Sequence, residues 1–482
     1  MQIKTQPAIL RVLFFTEMCE RFGFYMIQGL FVLYMTSKIF NFSDAKSFSI
    51  LGTFSAVSSM MPILGGYIAT RFLDYKHAII FGGVLLAIAY ALLALPNENF
   101  FYIALAIISV GIGFFKPNIN SYLGNFYHKN DPRREEGFTI LYVGVNVGVI
   151  LSTSISGYVV RAEGWHAPFL LASIGLIIGI MTFVCGIFYL KKTNQFHRIN
   201  SSIATKNPFV ITAVYSGAIF LTFISYEIIK HRVFADEFMV WSGCAIFIGM
   251  FCYAFRFDAA KRNKLIACIL LILLSIAFWG IFLQITFSLN LFIQRAVDRQ
   301  FFSLHLPTPF LFGLESIYIV ILGPFFAMLW HTLSMKNKNI SIPTKFTLAM
   351  FVMSAAFYII YLGTKNVNVS GLSSMWFIVV AYLFLTISEL LLSPTTFMMV
   401  TVLVPQELIG LMMGLCFVSF GLGAKLASSI ADYAAIPKHI HLIAQIDVIY
   451  GDAFLHFTLL SFGGGIFFLL LTPILKKMIG KI

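Results

Sequence analysis

Long apolar runs alternate with short polar segments along almost the whole chain. About fourteen of these runs are long enough to cross a bilayer as helices, because about 20 apolar residues span its hydrocarbon core. Their centres fall near residues 22, 60, 86, 108, 148, 178, 219, 245, 278, 320, 353, 387, 418 and 465. The pattern predicts an all-α polytopic membrane protein.

Composition supports this class, since 59% of the residues are hydrophobic and only 11% are charged. A net charge of +13 in a soluble protein would suggest nucleic acid. Here the basic residues lie in short loops between apolar runs, so we expect contacts with membrane lipids and no nucleic-acid partner. Lysine and arginine are more frequent in the loops on the side of the two termini than in the loops on the other side. This bias predicts that both termini face the cytoplasm. The compact loops suggest a plasma membrane, in particular a prokaryotic inner membrane.

The first apolar run, residues 12–35, is unusual because it carries Glu17, Glu20 and Arg21. A charge at mid-membrane costs roughly 2.5–3.5 kcal/mol, so these side chains must face protein or water. Their spacing places them on one helix face, where carboxylates can bind protons. The same face continues through Phe24, Tyr25 and Gln28. The alternative is a buried structural ion network.

Two basic segments, residues 191–207 and 256–264, flank a pair of bulky, aromatic runs. We interpret this pair as a helical hairpin inserted between two six-helix halves. The predicted parts are an N-terminal bundle (1–195), a linker with the hairpin (196–262) and a C-terminal bundle (263–482). The alternative is that both runs are ordinary members of a fourteen-helix bundle.

The two halves show weak internal symmetry in their fourth spans. One contains Lys116 directly before Pro117, and the other contains Glu389 shortly before Pro394. Proline removes a helical hydrogen bond and is expected to kink each helix. Related halves with ionisable residues near such prolines are typical of secondary transporters.

These residues belong to segments that resemble the proton-dependent oligopeptide transporters of the major facilitator superfamily. The segments, in chain order, are Glu17-x-x-Glu20-Arg21-Phe22, Gly113-x-x-Lys116-Pro117-Asn118, Gly144-x-Asn146-x-Gly148, Phe278-Trp279 with Gln284, and Glu389-Leu390-x-Leu392-Ser393-Pro394. Each motif is moderately specific by itself. Their order and spacing over most of the chain make the resemblance strong.

The resemblance implies a major facilitator fold, with two six-helix bundles that rock about a central site and an extra hairpin between them. It implies proton coupling by Glu17, Glu20 and Arg21. It assigns Lys116 to the peptide carboxylate and Glu389 to the peptide amino group. The remaining candidate binding residues are Tyr25, Gln28, Asn146, Trp279 and Gln284. Packing is the simplest explanation of Trp279, and a role in shaping the pocket is the alternative.

Departures from the family pattern bear on the substrate. Gln28 replaces an arginine that usually binds the carboxylate, and Leu283 replaces a glutamate. Glu315 stands where an asparagine is usual, opposite Glu389 if both face the cavity. Two carboxylates and one lysine favour cationic groups, so Glu315 is a candidate for substrate binding and for a replacement proton site. The alternative is that Glu315 is solvated at the outer helix end, and the role of Lys425 stays open.

The predicted function is a proton-coupled symporter that imports di- or tripeptides, or related amine-bearing solutes, by alternating access. The alternative is an uncoupled facilitator or a non-transporting sensor for an amino acid or a cationic amine. Metalloprotease, Walker and nucleophile-elbow motifs are missing from the sequence, so we expect no enzyme. The six cysteines lack metal-ligand spacing. We expect no metal and no cofactor, with the proton as coupling ion, and a monomer.

Overall fold

The computed structural model describes residues 5–128, 131, 133–196, 207–336 and 338–480, and only the backbone of residues 232–236. Residues 197–206 of the predicted linker lie outside the described part of the chain. Long α-helices make up nearly all of the rest, as the apolar runs predict.

Eight long helices precede the second half of the chain. They are α1 (Ile9–Thr36), α2 (Asp44–Arg71), α3 (Tyr75–Leu93), α4 (Glu98–Gly124), α5 (Arg133–Glu163), α6 (His166–Lys192), α7 (Pro208–Lys230) and α8 (Arg232–Ala254). The second half contains α9 (Ala259–Phe282), α10 (Ser288–Ala296), α11 (Thr308–Phe312), α12 (Leu314–Met335), α13 (Ile342–Lys365), α14 (Met375–Leu403), α15 (Ile409–Ala431) and α16 (Ile443–Ile479). Short 3₁₀ turns follow α9 and flank α15.

Four two-residue strands lie in the loops of the second half. β1 (Val297–Asp298) pairs in parallel with β4 (Ser373–Ser374), and β2 (Gln300–Phe301) pairs antiparallel with β3 (Leu304–His305). The strands are too short to form a layer of their own, so helix packing alone builds the fold.

Each of the fourteen predicted centres falls inside one of the long helices, which confirms the predicted all-α membrane fold. Thirteen helices of the described chain are long and apolar enough to cross a membrane. The first helix, α1, has the length of a span but carries Glu17, Glu20 and Arg21. The polar inner face of α1 therefore needs partners within the protein.

The described chain divides into two compact units. Unit 1 comprises Met1–Tyr34 and Val57–His231, and unit 2 comprises Met35–Ala56 and Arg232–Ile482. Within unit 1, α3 packs on α4 and α6, and within unit 2, α13 packs on α14 and α16.

These boundaries differ from the predicted ones. Of the two hairpin helices, α7 packs on α4 in unit 1, whereas α8 packs on α9 and α15 in unit 2. The first half of α2 also belongs to unit 2.

Small residues let helices approach closely beside the functional residues. At Gly65 of α2, an added Cβ would lie 2.0 Å from the carbonyl oxygen of Gly113 on α4. At Gly423 of α15, it would lie 2.5 Å from Cβ of Trp279 on α9. Any side chain at either position would push the helices apart.

The prolines of the two fourth spans do not interrupt their helices. Pro117 lies inside α4 and Pro394 lies inside α14, and both helices continue on either side. Asn118 donates a hydrogen bond from Nδ2 to the Phe114 carbonyl oxygen at 2.7 Å. This side-chain bond adds a second hydrogen bond to the helix directly after the proline.

Candidate functional site

The charged face of α1 forms an ion cluster of Glu17, Glu20 and Arg21. Nε of Arg21 lies 3.4 Å from Oε1 of Glu17 and in direct contact with Oε2 of Glu20. All three are buried, with exposed fractions of 5% for Glu17, 0% for Glu20 and 5% for Arg21. Glu17 and Arg21 are four residues apart and share a helix face, whereas Glu20 reaches the guanidinium from the neighbouring position in the sequence. The predicted cluster is thus formed, with two acids around one base.

Lys116 of α4 adds the second positive charge near this cluster. It acts electrostatically on Glu17, Glu20 and Arg21. Its side chain is exposed, unlike those of the cluster, so its ammonium group can meet a solute. With Lys116 included, two acids face two bases and the formal charge of the group is zero.

Tyr90 of α3 lies beside the ion cluster and was not predicted from the sequence. Its side chain is fully buried and interacts electrostatically with Glu20. Neither Tyr90 Oη nor Glu20 Oε1 has a hydrogen-bond partner among the described residues. A tyrosine in an apolar run gives no sequence signal, because only the packing of α3 brings it to Glu20.

Tyr25 and Gln28 lie further along the same face of α1, and both are half-buried. Tyr25 packs edge-on against Phe24, with 5.4 Å between ring centroids, and interacts electrostatically with Arg21. Oε1 of Gln28 is buried and lacks a hydrogen-bond partner among the described residues. Both positions therefore suit contact with a polar solute.

The Gly144-x-Asn146-x-Gly148 motif packs α5 against α1. At Gly148, an added Cβ would lie 2.4 Å from the carbonyl oxygen of Met18. Asn146 is buried, with an exposed fraction of 4%, and its Nδ2 donates to the Tyr142 carbonyl oxygen at 3.0 Å. The motif thus positions the ion cluster through packing, and a direct role for Asn146 in substrate binding stays a prediction.

Unit 2 contains a second acidic group, the carboxyl pair of Glu315 and Glu389. Glu315 lies in the first turn of α12, and Glu389 lies in the middle of α14. Both are half-buried, and their carboxyl groups are within hydrogen-bonding reach of each other. Glu315 is therefore engaged with another side chain, which does not favour the alternative of a solvated helix end.

Trp279 and Gln284 contribute to packing in unit 2. Trp279 contacts Phe420 with 4.9 Å between ring centroids. Gln284 is fully buried, and its Nε2 donates to the Ala427 carbonyl oxygen at 2.8 Å while its Oε1 accepts from Ser288 Oγ at 2.6 Å. These contacts favour a structural role for Gln284, and its predicted role in substrate binding stays untested.

Lys425, whose role the sequence leaves open, is buried on α15. Its Nζ donates to Thr53 Oγ1 of α2 at 3.2 Å, within unit 2. At the neighbouring Gly52 of α2, an added Cβ would lie only 2.5 Å from Cβ of Ser428 on α15. Lys425 thus belongs to a close contact between the first half of α2 and α15.

Among the described residues, no group of three or more His, Cys, Asp or Glu is placed to hold a metal ion. The ionisable groups that the structure brings together are the ion cluster in unit 1 and the carboxyl pair in unit 2. Their predicted roles in proton and substrate binding stay predictions.

Comparison with known proteins agrees in sequence and in structure. The POT family matches residues 76–448. Dipeptide and tripeptide permease B of Aliivibrio fischeri (strain MJ11) is 30% identical over 480 residues, covering 99% of this chain and 96% of the permease. Dipeptide and tripeptide permease A of Proteus mirabilis (strain HI4320) is 28% identical, covering 98% and 96%.

Two solved structures extend the similarity to the fold. One, from work on substrate recognition in proton dependent oligopeptide transporters, has a TM-score of 0.83 at 26% identity and covers 97% of this chain and 99% of that chain. The other, tetrameric PepTSo2, has a TM-score of 0.84 at 26% identity and covers 98% and 99%. The chain is therefore a multi-pass membrane protein that belongs to the POT family.

Proposed function

We propose that this protein is a proton-coupled symporter that imports di- and tripeptides by alternating access. Family membership and relatives named as dipeptide and tripeptide permeases support the substrate class. The observation that carries the proposal is the ion cluster, in which Arg21 holds Glu17 and Glu20 within electrostatic reach of Lys116.

Proton coupling follows from the balance of charge around Arg21. Protonation of Glu17 or Glu20 removes one negative charge and leaves the two cations in excess. An exposed Lys116 then attracts the carboxylate end of a peptide more strongly. Peptide and proton thus support each other's binding, which is the thermodynamic requirement for symport.

The other end of the peptide carries an ammonium group and needs a negative partner. Glu389 and Glu315 supply it in unit 2, while Tyr25 and Gln28 offer polar atoms for the peptide backbone. Since Gln28 replaces an arginine, Lys116 binds the carboxylate only as a point charge. We therefore expect a free amino terminus to matter more for affinity than a free carboxyl terminus.

An uncoupled facilitator or a sensor is the second candidate function. Leu283 favours it, because this position is buried and apolar where the family resemblance implies an acid. Gln284 is also engaged in helix packing. The ion cluster, with its two carboxylates, argues for coupling.

The test is uptake of a labelled dipeptide into proteoliposomes, with and without an inward proton gradient. We expect the wild type to concentrate the dipeptide only with the gradient, and Glu20→Gln to lose this accumulation. Glu163→Gln, at an exposed position of α5 in the same unit, is the matched control and should behave as the wild type. Equal uptake by wild type with and without the gradient would favour the uncoupled facilitator.

For the location we propose a bacterial inner membrane with both termini in the cytoplasm, supported by the permease relatives and the basic loops. We also propose a monomer. PepTSo2 is tetrameric in its crystal structure, so the mass of the purified protein in detergent by light scattering is the appropriate test.

A further inference from the structure

The turn between α8 and α9 lies at a surface of the membrane, because both helices belong to segments that are long and apolar enough to cross it. Four basic residues and one acid lie between the end of α8 and the second turn of α9. They are Arg256, Asp258, Lys261, Arg262 and Lys264. Asp258 pairs with Lys261, with 3.8 Å between Oδ1 and Nζ. The turn therefore keeps an excess of positive charge, which attracts anionic lipids.

Both arginines of this turn are held over aromatic rings. The guanidinium carbon of Arg256 lies 5.2 Å from the centroid of the Tyr253 ring, and that of Arg262 lies 5.5 Å from the centroid of the Phe255 ring. Such stacking occupies the face of a guanidinium and leaves its N–H edge for an acceptor. Among the residues that the structure describes, no carboxylate pairs with either arginine. Both guanidinium groups are thus oriented and open to an anion.

An exposed apolar stripe of α8 leads to these arginines. Ile248, Phe251 and Phe255 follow one another at intervals of three and four residues, which is the spacing of one helix face. Their exposed fractions are 63%, 38% and 58%. The rings of Phe251 and Phe255 meet edge-on, with 5.8 Å between centroids. Lipid-facing apolar residues are expected on any span, but this stripe ends directly at the guanidinium of Arg262.

A phospholipid has the two matching parts in the same order. Its phosphate lies at the membrane surface, where the planar fork of an arginine can bind two oxygens, and its acyl chains extend toward the bilayer centre. A free phosphate ion would use the arginines and leave the stripe without an occupant. The excess of basic residues favours a lipid of net negative charge, because the ammonium group of a zwitterionic lipid would meet mainly other cations.

We propose that Arg256 and Arg262 bind the phosphate of an anionic phospholipid whose acyl chain lies along Ile248, Phe251 and Phe255. The bound lipid holds the turn that joins α8 to α9 at the membrane surface. All of these residues belong to unit 2, and none of them is part of the carboxyl pair. The inference does not depend on the substrate that the protein carries.

The experiment titrates the full-length protein in detergent with phosphatidylglycerol or phosphatidylcholine, and native mass spectrometry counts the bound lipids. We expect the wild type to bind phosphatidylglycerol more tightly. The double variant Arg256→Gln with Arg262→Gln should lose at least about tenfold of this affinity, since two charged hydrogen-bonding groups are removed. The matched control is Arg71→Gln with Arg161→Gln, which removes the same charge at exposed positions of unit 1. It should stay within about twofold of the wild type.

Two further variants separate the parts of the site. Arg256→Lys with Arg262→Lys keeps the charge but loses the planar fork, so phosphatidylglycerol affinity should fall less than in the glutamine variant. Ile248→Ser with Phe251→Ser keeps both arginines and removes the apolar stripe, and it should also weaken binding. Glycerol 3-phosphate, which has the phosphate without acyl chains, should not displace phosphatidylglycerol at equal concentration. Thermal unfolding at the wild-type temperature shows that a variant is folded.

Equal phosphatidylglycerol binding by the wild type and the glutamine variant would overturn the site. The same loss of binding in the control variant would also overturn it, because net charge alone would then explain the affinity. Phosphatidylcholine bound as tightly as phosphatidylglycerol would contradict the selection of an anionic lipid. Displacement by glycerol 3-phosphate would show a site for free phosphate esters in place of a lipid site.

Discussion

Each unit contains two carboxyl groups, but the two sets are neutralised differently. In unit 1, Glu17 and Glu20 of the ion cluster share Arg21, and Lys116 lies within electrostatic reach. In unit 2, Glu315 and Glu389 of the carboxyl pair lie beside each other, and no base of the described residues acts electrostatically on either. The ion cluster therefore places a base between its two acids, whereas the carboxyl pair places two acids beside each other.

Under the proposed function, this difference gives the two groups different tasks. At the ion cluster, Lys116 is the proposed partner of a carboxylate and lies within electrostatic reach of the acids around Arg21. At the carboxyl pair, Glu389 is the proposed partner of an ammonium group.

The largest expected effect comes from removing the base of the ion cluster. Arg21→Gln leaves Glu17 and Glu20 buried without their guanidinium, and breaking a buried ion pair on one side costs about 3–5 kcal/mol. We expect a clear loss of stability in thermal unfolding in detergent, together with loss of dipeptide uptake. The double variant Arg21→Gln with Glu20→Gln should recover part of the stability. If Arg21→Gln unfolded at the wild-type temperature, this would show that water already solvates these carboxylates.

A second substitution makes the carboxyl pair resemble the ion cluster. Glu315→Lys places a cation beside Glu389, so the pair then joins a base and an acid. We expect dipeptide exchange to fall at least about tenfold, since the lysine occupies the place of the substrate's ammonium group. Unfolding of this variant should occur at or above the wild-type temperature. Exchange at the wild-type rate would show that the ammonium group binds elsewhere.

The sequence predicts the ion cluster better than the carboxyl pair, for a physical reason. Glu17, Glu20 and Arg21 lie on one helix, where spacings of three and four residues place Glu17 on the same face as Glu20 and Arg21. Glu315 and Glu389 lie on different helices, and their contact depends on how α12 packs against α14. From the sequence, we could predict the contact of Glu315 with Glu389 only on the condition that both side chains face the cavity.

The same limit applies to packing between apolar surfaces. Hydrophobic runs locate all fourteen long helices, but they do not tell which unit receives α7 and which receives α8. Gln284 resembles a binding residue in the sequence, whereas its position beside Ala427 and Ser288 is set by the close contact of α9 and α15. Partner choice between apolar helices depends on detailed shape, which a hydropathy pattern does not contain.

One buried tyrosine lies beside the ion cluster and another beside the carboxyl pair. Their substitution compares the two groups, with a smaller expected effect than the changes above. Tyr90 interacts electrostatically with Glu20, and Tyr382 interacts with Glu315. Tyr382→Phe should shift the pH dependence of dipeptide uptake, because the hydroxyl group lies beside two acids on which no base of the described residues acts. Tyr90→Phe should shift it less, because Arg21 already holds the charge of Glu20. Each change should alter the free energy of unfolding by no more than about 1.5 kcal/mol. Equal shifts in the pH dependence of uptake for the two variants would contradict the difference between the ion cluster and the carboxyl pair.

The smallest effect is expected at an acid outside the membrane-spanning helices, Asp131, which serves as a reference for both groups. Side-chain and backbone hydrogen bonds from Arg133 lower the pKa of Asp131 from 3.8 to about 2. A lowered pKa in the folded state means that the contribution to stability is present above pH 3.8 and is lost as the pH falls through about 2. Unfolding temperatures of wild type and Asp131→Asn should therefore differ slightly at neutral pH and converge toward pH 2. Dipeptide uptake at neutral pH should be unchanged, because this acid pairs with Arg133 in a loop and belongs neither to the ion cluster nor to the carboxyl pair. A change in gradient-driven uptake would mean that proton coupling extends beyond the ion cluster and the carboxyl pair.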